Sequence, residues 1–361
     1  MTSKKKILFL SPYPKGIGPS QRFRFEQYIN FFEQEFDCKQ ITFWNKKSWD
    51  ILFSDKGHLI KTYYLLISFF KRWVTVFSIN RYHIIFIHRE VAHIGPPVFE
   101  WIIKYIFRKK IIYDFDDAIW FRNYSEKNKI ARFFKSPWKV KYICKWADVI
   151  IVGNDYLKSF AIKYNKRVVV IPTTIDTEYH KPLPDKDYNT KKTVIGWTGT
   201  LTTLRQLDLI LPVLQKLEEK YDFEFLVISN EKPEINIKPF NFIKWNKDTE
   251  IADLQKINIG IMPLYDNEWE KGKCGFKGLQ YMALEIPAVM SPVGVNTKII
   301  TDGKNGFLAK TEQDWFDKLS VLIENKQLRK ELGKVGRKTV IEKYSVNANK
   351  QKYFEVLYSL L

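Results

Sequence analysis

Short apolar runs recur along the chain, each bounded by charge, glycine or proline. Lys6-Ile-Leu-Phe-Leu10, Ile84-Ile-Phe-Ile87, Lys110-Ile-Ile-Tyr113, Ala147-Asp-Val-Ile-Ile-Val152 and Arg167-Val-Val-Val-Ile171 are apolar at nearly every position. A strand buried on both faces of a parallel sheet needs that continuity, whereas a half-exposed strand alternates. After the first run the period lengthens: Gly16, Gly18 and Pro19 precede Ser20 as an N-cap, and Arg22, Phe23, Phe25, Tyr28, Ile29 and Phe32 follow at helical spacing. Strand, glycine turn and helix make the first unit of a doubly wound α/β sheet. The pattern lapses in HKPLPDKDYNTKK, whose prolines and charges read as a linker.

Beyond the linker it restarts. Val194-Ile-Gly196, Phe223 to Ser229, Phe242 to Trp245, Ile259 to Pro263 and Ala288 to Ser291 read as strands, and 204–214, 249–256 and 279–284 as helices. A tight turn at 302–308 precedes two amphipathic helices over 312–343, and a helical pattern runs from Val346 to Leu361. The stretch His58 to Phe77 is apolar and aromatic but broken by Lys61, Lys71 and Arg72, too short and too charged for a membrane span. Two readings stay open for it: a core helix, or an aromatic, basic helix lying on a membrane face.

The 361 residues predict two or three domains, and 45% apolar content suffices for real cores. Three scattered cysteines give neither a disulfide framework nor a metal cluster, and the apolar run after the lysine triplet is too short for a signal peptide, so a cytosolic setting is expected. The formal charge of +19 is lopsided: residues 1–175 hold 31 Lys/Arg against 14 Asp/Glu, and the rest is nearly balanced. A basic first half favours an anionic partner, whether nucleic acid, anionic lipid headgroups or a phosphorylated substrate. A basic nucleic-acid-binding protein stays as one alternative, although no recognition motif is present and the charge is spread rather than striped, so no nucleic-acid partner is expected.

The candidate chemistry centres on KGKCGFKGLQYMALEIPAVMSPVGV, residues 271–295. Gly272, Gly275 and Gly278 allow close backbone approach, Lys271, Lys273 and Lys277 bring positive charge, and the helix that follows adds the partial charge of its N-terminus. Such a loop suits phosphate. Arg205, just after the turn at Gly199, places a guanidinium where it can grip phosphate bidentately. In the first half, His88 follows its strand directly, at the end where ligands bind in open parallel sheets. Asp114, Asp116 and Asp117 follow the next strand, with Asp116 or Asp117 as the cap of a turn, Asp114 and Asp116 as a D-x-D metal site, or the acids as a grip on acceptor hydroxyls. The glycine turn reads GIGPSQ and lacks the third glycine of a dinucleotide fingerprint, so no nicotinamide site is expected. Arg22 and Arg24, two exposed arginines at that helix start, are phosphate candidates.

ADVIIVGNDYLKSF…VVVIPTTIDTEYH, IGWTGTLTTLRQLDLI, FKGLQYMALEIPAVMSPVGVN and DGKNGFL, four motifs in order over nearly the whole chain, resemble glycosyltransferase family 4 of the bacterial surface-polysaccharide type. The resemblance implies a retaining hexosyltransferase-type enzyme of α/β, GT-B fold: two Rossmann-like parallel-sheet domains facing a central cleft, with a C-terminal helix crossing back to the first. It implies an acceptor-binding domain over 1–172, a linker over 173–190, a domain for the donor nucleotide-sugar over 191–342, and the returning helix over 343–361. The family's phosphate-gripping lysine matches Arg205, its arginine falls on Thr200, and Lys277 takes over that charge. The paired-glutamate motif departs, its second member falling on Gln280 and its first near Gly272, so the backbone of Lys273, Cys274 and Gly275, with Glu270, is expected to orient the sugar. Trp245 resembles the residue flanking the base, and His88 a histidine near the reacting sugar carbon.

By the same resemblance Arg205, Lys277 and His88 are the catalytic expectations. Gly199, Thr200, Trp245, Glu270, Lys273, Cys274, Gly275 and Gln280 bind the donor, and Gly16, Gly18, Arg22, Asp114 and Asp116 line the acceptor side. No metal or cofactor is expected, since the nucleotide-sugar is itself a substrate. The acceptor is lipid-linked or a polysaccharide, reached at the cytoplasmic face of the inner membrane by a peripheral protein. A sugar-nucleotide epimerase or hydrolase of the same fold is the other alternative.

Overall fold

A computed structural model of the chain describes residues 4–52, 54, 57–121, 136–183 and 192–361. Residues 184–190 of the expected linker lie outside the described residues. The chain forms two compact units, Met1–Thr173 together with Asn349–Leu361, and Thr174–Ala348.

The first unit is built on a parallel sheet of β1 (Lys6–Ser11), β2 (Asp37–Thr42), β3 (Ile84–His88), β4 (Lys110–Phe115), β5 (Val149–Val152) and β6 (Val168–Val170), in the order β2-β1-β3-β4-β5-β6. Strand order reverses between β1 and β3, and the carboxyl ends at such a switch are where open α/β sheets bind ligands. Register sets His88 of β3 directly beside Asp114 of β4. The central strands are buried almost throughout, as their unbroken apolar runs require. Phe9 stacks on Phe25 and Phe32 at 5.4 and 5.9 Å, which fixes the first helical segment to the sheet.

The helix Val346–Tyr358 starts in the second unit and continues into the first from Asn349. There Tyr353 packs 4.6 Å from Tyr28 and donates its hydroxyl to the Arg24 carbonyl at 2.6 Å, and Phe354 lies edge-on to Phe32 at 5.6 Å. The helix His58–Phe77 inverts the usual amphipathic arrangement. Its buried face holds Ser68, Arg72, Thr75 and Val76, while Leu59, Tyr63, Leu66, Phe70, Val74 and Phe77 are exposed. Burial lowers the Arg72 guanidinium to a pKa of about 10 against the pull of Glu100, and its head reaches towards the Ser11 and Ile41 carbonyls at 3.4 Å. Among the described residues no helix is long and apolar enough to cross a membrane.

The second unit repeats the plan with β7 (Thr193–Gly199), β8 (Phe223–Ser229), β9 (Phe240–Lys244), β10 (Ile259–Met262), β11 (Ala288–Met290) and β12 (Phe307–Leu308), ordered β12-β11-β10-β7-β8-β9. Its switch lies between β7 and β10. The stretch 204–214, which reads as one helix, is two: a 3₁₀ helix Leu201–Leu209 and an α-helix Leu211–Glu218. Pro212 explains the break, since without an N–H it is tolerated only in a first turn. The helix Phe276–Ala283 begins three residues before its expected start and is fixed by Tyr281, whose ring sits where a Cβ on Gly260 of β10 would lie. The Tyr281 hydroxyl accepts the Thr198 N–H of β7 at 2.9 Å.

Candidate functional site

At the switch of the second sheet three segments converge. Gly199 ends β7 in a turn so close that a Cβ would meet the Trp197 ring at 2.2 Å. Thr200 then opens the 3₁₀ helix through a capping box with Thr203 and delivers Arg205 and Gln206 to the carboxyl end of the strand. After β10 the short helix Glu268–Lys271, capped by Asn267, carries Glu270. Gly275 adopts φ +69°, where a side chain would also strike Ile299, and starts the helix that carries Lys277 and Gln280.

These side chains form one knot. Glu270, 1% exposed, accepts from the Gln206 amide at 3.0 Å, and its other oxygen lies 3.8 Å from the Arg205 guanidinium. The Gln206 carbonyl accepts from the Lys277 ammonium at 3.2 Å, and that ammonium sits 5.3 Å above the Trp197 ring. Arg205 is half-exposed, so two cations are held in place by one buried carboxylate and one buried amide while a guanidinium still faces solvent. Gln206, which organises the knot, has no signal in the sequence beyond its neighbour Arg205.

Gln280 faces a second residue that sequence reasoning passes over. Its amide lies 3.4 Å from Nε2 of His180, and both side chains are buried. His180 sits in the DTEYH run, and its own carbonyl accepts from Arg337 at 2.9 Å. Trp245 follows β9 and donates its indole N–H to Glu250 at 3.2 Å. The Lys273 ammonium lies 5.3 Å above the Trp269 ring, and Cys274 is buried with its sulfur 3.9 Å from the Gly272 carbonyl.

The first unit gathers a separate set at its own switch. His88 Nδ1 lies 2.6 Å from Asp114 and Nε2 lies 2.8 Å from the Ser20 hydroxyl, which donates to Asp116 at 2.5 Å. A carboxylate can only accept, so Asp114 fixes the proton on Nδ1 and turns Nε2 towards Ser20. Asp114 is wholly buried and its second partner is Arg24, at 2.6 Å. Arg24 is thus not an exposed phosphate candidate: it is fully buried, and its charge is spent on Asp114 and the Ile171 carbonyl. Burial pushes the Asp114 carboxyl up, but Arg24 and His88 outweigh it and hold it below the usual range.

Asp116 is bound by Arg89 at 2.7 Å, and Arg89 also pairs with Asp117. Arg89, at φ +60°, is one of four non-glycine residues among those described in the left-handed region, and Tyr113 holds its carbonyl at 2.8 Å. Burial opposes ionisation of Asp116 too, yet Arg89, His88 and Ser20 keep it far below its ordinary value. Asp114, Asp116 and Asp117 therefore each have a guanidinium partner. The glycine turn supports the set from below: Gly16 N–H donates to Glu26 at 2.9 Å, Gly18 leaves room for the Tyr13 ring, and Arg22 lies half-buried over Phe23.

Residues 192–325 match the family described as Glycosyl transferases group 1. The match lies within the second unit. Over its whole length the chain superposes on sucrose-phosphate synthase from Thermosynechococcus elongatus with a TM-score of 0.72, at 13% identity and 99% of each chain. It superposes on Anabaena HepE in complex with UDP-glucose with a TM-score of 0.67, at 15% identity, covering 98% of this chain and 99% of that one. The fold is GT-B. A trehalose synthase of Thermococcus litoralis is 21% identical over 271 residues, 62% of this chain and 65% of the relative, so the match spans just under two thirds of that protein's length.

Proposed function

We propose that the chain is a retaining glycosyltransferase that moves a sugar from a nucleoside diphosphate to an acceptor hydroxyl, working at the cytoplasmic membrane face on a lipid-linked or polysaccharide acceptor. The observation that carries the reading is the knot of Arg205, Gln206, Glu270 and Lys277 within the group 1 domain. Breaking the bond between sugar and diphosphate builds negative charge on the leaving group, and cations fixed beforehand stabilise that charge without reorganising. Glu270 and Gln206 do the fixing, Arg205 and Lys277 meet the phosphates, and the N-terminus of the helix Phe276–Ala283 adds its dipole. The solved HepE complex with UDP-glucose supports a nucleotide-sugar donor.

In the first unit, Ser20, His88 and Asp116 form a hydroxyl-binding set whose Nε2 and carboxylate suit an acceptor alcohol. Asp114 and Arg24 act through His88 by holding its ring and tautomer. Departing phosphate takes the acceptor proton in this scheme, so neither a carboxylate nucleophile nor a metal is needed. The exposed apolar face of the helix His58–Phe77 and the basic first half support the membrane location.

Thermal shift of the purified chain against a panel of nucleoside diphosphates and their sugars tests the reading. At least one donor should raise the midpoint, and Arg205→Ala and Lys277→Ala should each cut turnover about 100-fold with the unliganded midpoint preserved. Near-normal turnover in both variants would refute the phosphate assignment, and loss of turnover in EDTA would overturn the metal-free scheme.

A further inference from the structure

The first unit has a groove that the transfer chemistry leaves unused. It measures about 260 Å³ and is lined by Pro96, Pro97, Val98, Trp101, Trp138, Tyr142 and Trp146. The lining contains no charged side chain, and three of the seven residues are tryptophan. Sites that enclose a whole drug-sized ligand run from about 300 to 1,000 Å³ and carry several convergent polar groups. This one is smaller and offers only the indole and phenol tips, so a stretch of hydrocarbon suits it better than a sugar or a peptide.

Basic and aromatic residues surround the groove. On the helix Lys139–Trp146, which forms one wall, Lys141 and Lys145 are exposed one turn apart, and the Lys141 ammonium lies 5.0 Å from the Tyr142 ring centre, so the rim suits an anionic headgroup. Phe99, on the helix Val98–Trp101 of the other wall, packs its ring 4.8 Å from Trp73 of the helix His58–Phe77. Exposed Trp101, Tyr105 and Ile106 therefore adjoin the element that exposes Phe70, Val74 and Phe77. Finally, Lys139, next to Trp138, is buried and binds Glu90 at 2.6 Å and the Ala92 carbonyl at 3.0 Å. Glu90 is two residues from His88, so the wall of the groove is fastened to the segment that follows β3, next to one member of the acceptor set.

Resting on the transferase reading, we propose that this groove holds the hydrocarbon chain of a lipid-linked acceptor whose reacting hydroxyl lies at Ser20, His88 and Asp116. The exposed face of the helix His58–Phe77 sits in the surrounding lipid, and the lysines of the rim take the phosphate of the carrier.

Farnesyl phosphate serves as a soluble probe, with inorganic phosphate as the control, and binding to the full chain is read by tryptophan fluorescence. Saturable binding is expected, at least 10-fold weaker in Trp138→Ala and in Tyr142→Ser, unchanged in Phe70→Ser, and not reproduced by inorganic phosphate. The two groove variants replace exposed side chains, and the thermal midpoint of each checks that it folds. Absence of saturable binding, or equal weakening in Phe70→Ser, overturns the groove in favour of bulk lipid contact. Self-association that Trp138→Ala abolishes, without farnesyl phosphate binding, makes the face an interface between copies and also overturns it. Donor thermal shift on the same samples separates the two levels: donor response without farnesyl phosphate binding sinks the groove alone, and loss of both sinks the transferase reading.

Discussion

Glu90 sits between Lys139 and His93 beside the acceptor set, and its environment makes the first unit sensitive to acid. Burial alone would raise its carboxyl, but Lys139 and His93 outweigh that and bring it to about 2, against 4.5 for an ordinary glutamate. A depressed folded value stabilises the unit fully above the unfolded pKa and is lost as pH falls through the folded one, a contribution of about 3 kcal/mol. Chemical denaturation from pH 6 down should therefore show stability declining between about 4.5 and 2, and Glu90→Gln should flatten that part of the curve. Arg24 and Asp114 give a sharper case. Neither is exposed, so Arg24→Met leaves a buried carboxylate half-compensated and should cost about 3–5 kcal/mol by urea denaturation. A cost under 1 kcal/mol would show that His88 alone suffices. His88 and Asp114 could be read in the sequence because each closes an apolar run, but Arg24 could not: helical spacing places it beside Arg22, and only the register of β3 and β4 brings a carboxylate beneath it.

Elements were legible where both faces are covered and illegible where one is not. Every central strand stands out as an apolar run, yet β2 does not, since Asp37–Thr42 alternates exposed with half-buried positions along a sheet edge. The helix Lys139–Trp146 also escapes notice, because four lysine and tryptophan positions interrupt its apolar spacing. For His58–Phe77 composition gives the right element and leaves its orientation open; the contacts decide it by burying Arg72 and exposing phenylalanine. Under the proposed membrane location this outward apolar face meets lipid. Phe70→Ser with Phe77→Ser should at least halve sedimentation with anionic liposomes and leave the thermal midpoint within a degree or two, since both rings are about 70% exposed. Retained sedimentation would place the membrane contact elsewhere. The C-terminal helix makes the opposite prediction. Deleting 349–361 removes Tyr353, Phe354 and Leu357 from Tyr28, Phe32 and Phe36, each worth about 1.5–3 kcal/mol of burial, so the first unit should lose cooperative unfolding while the second keeps its own transition.

For the molecule as a whole, two α/β units joined in sequence could be read from one pattern that stops and restarts, whereas the missing paired glutamates could not be interpreted without coordinates. Gln280 proves to be paired with His180, and Glu270 to face Arg205 directly and Lys277 through Gln206, partners brought together from more than 60 residues apart. Charge also separates the halves: with the excess in residues 1–175, liposome binding should weaken steeply as salt rises from 50 to 500 mM, because screening shortens to a few Å. Salt-independent binding would leave the apolar face as the sole attachment.

The helix that begins in one unit and ends in the other also sets an order on biogenesis. The first unit contains residues 349–361, so on the ribosome it stays unfinished until all of 174–348 has been made. At ~5–20 residues per second that is a wait of roughly 10 to 35 seconds, with the aromatic surface of Tyr28 and Phe32 uncovered. The rings of the first-made half are therefore open to non-native contacts throughout that wait, whereas the second-made half, contiguous in sequence, can close as it emerges.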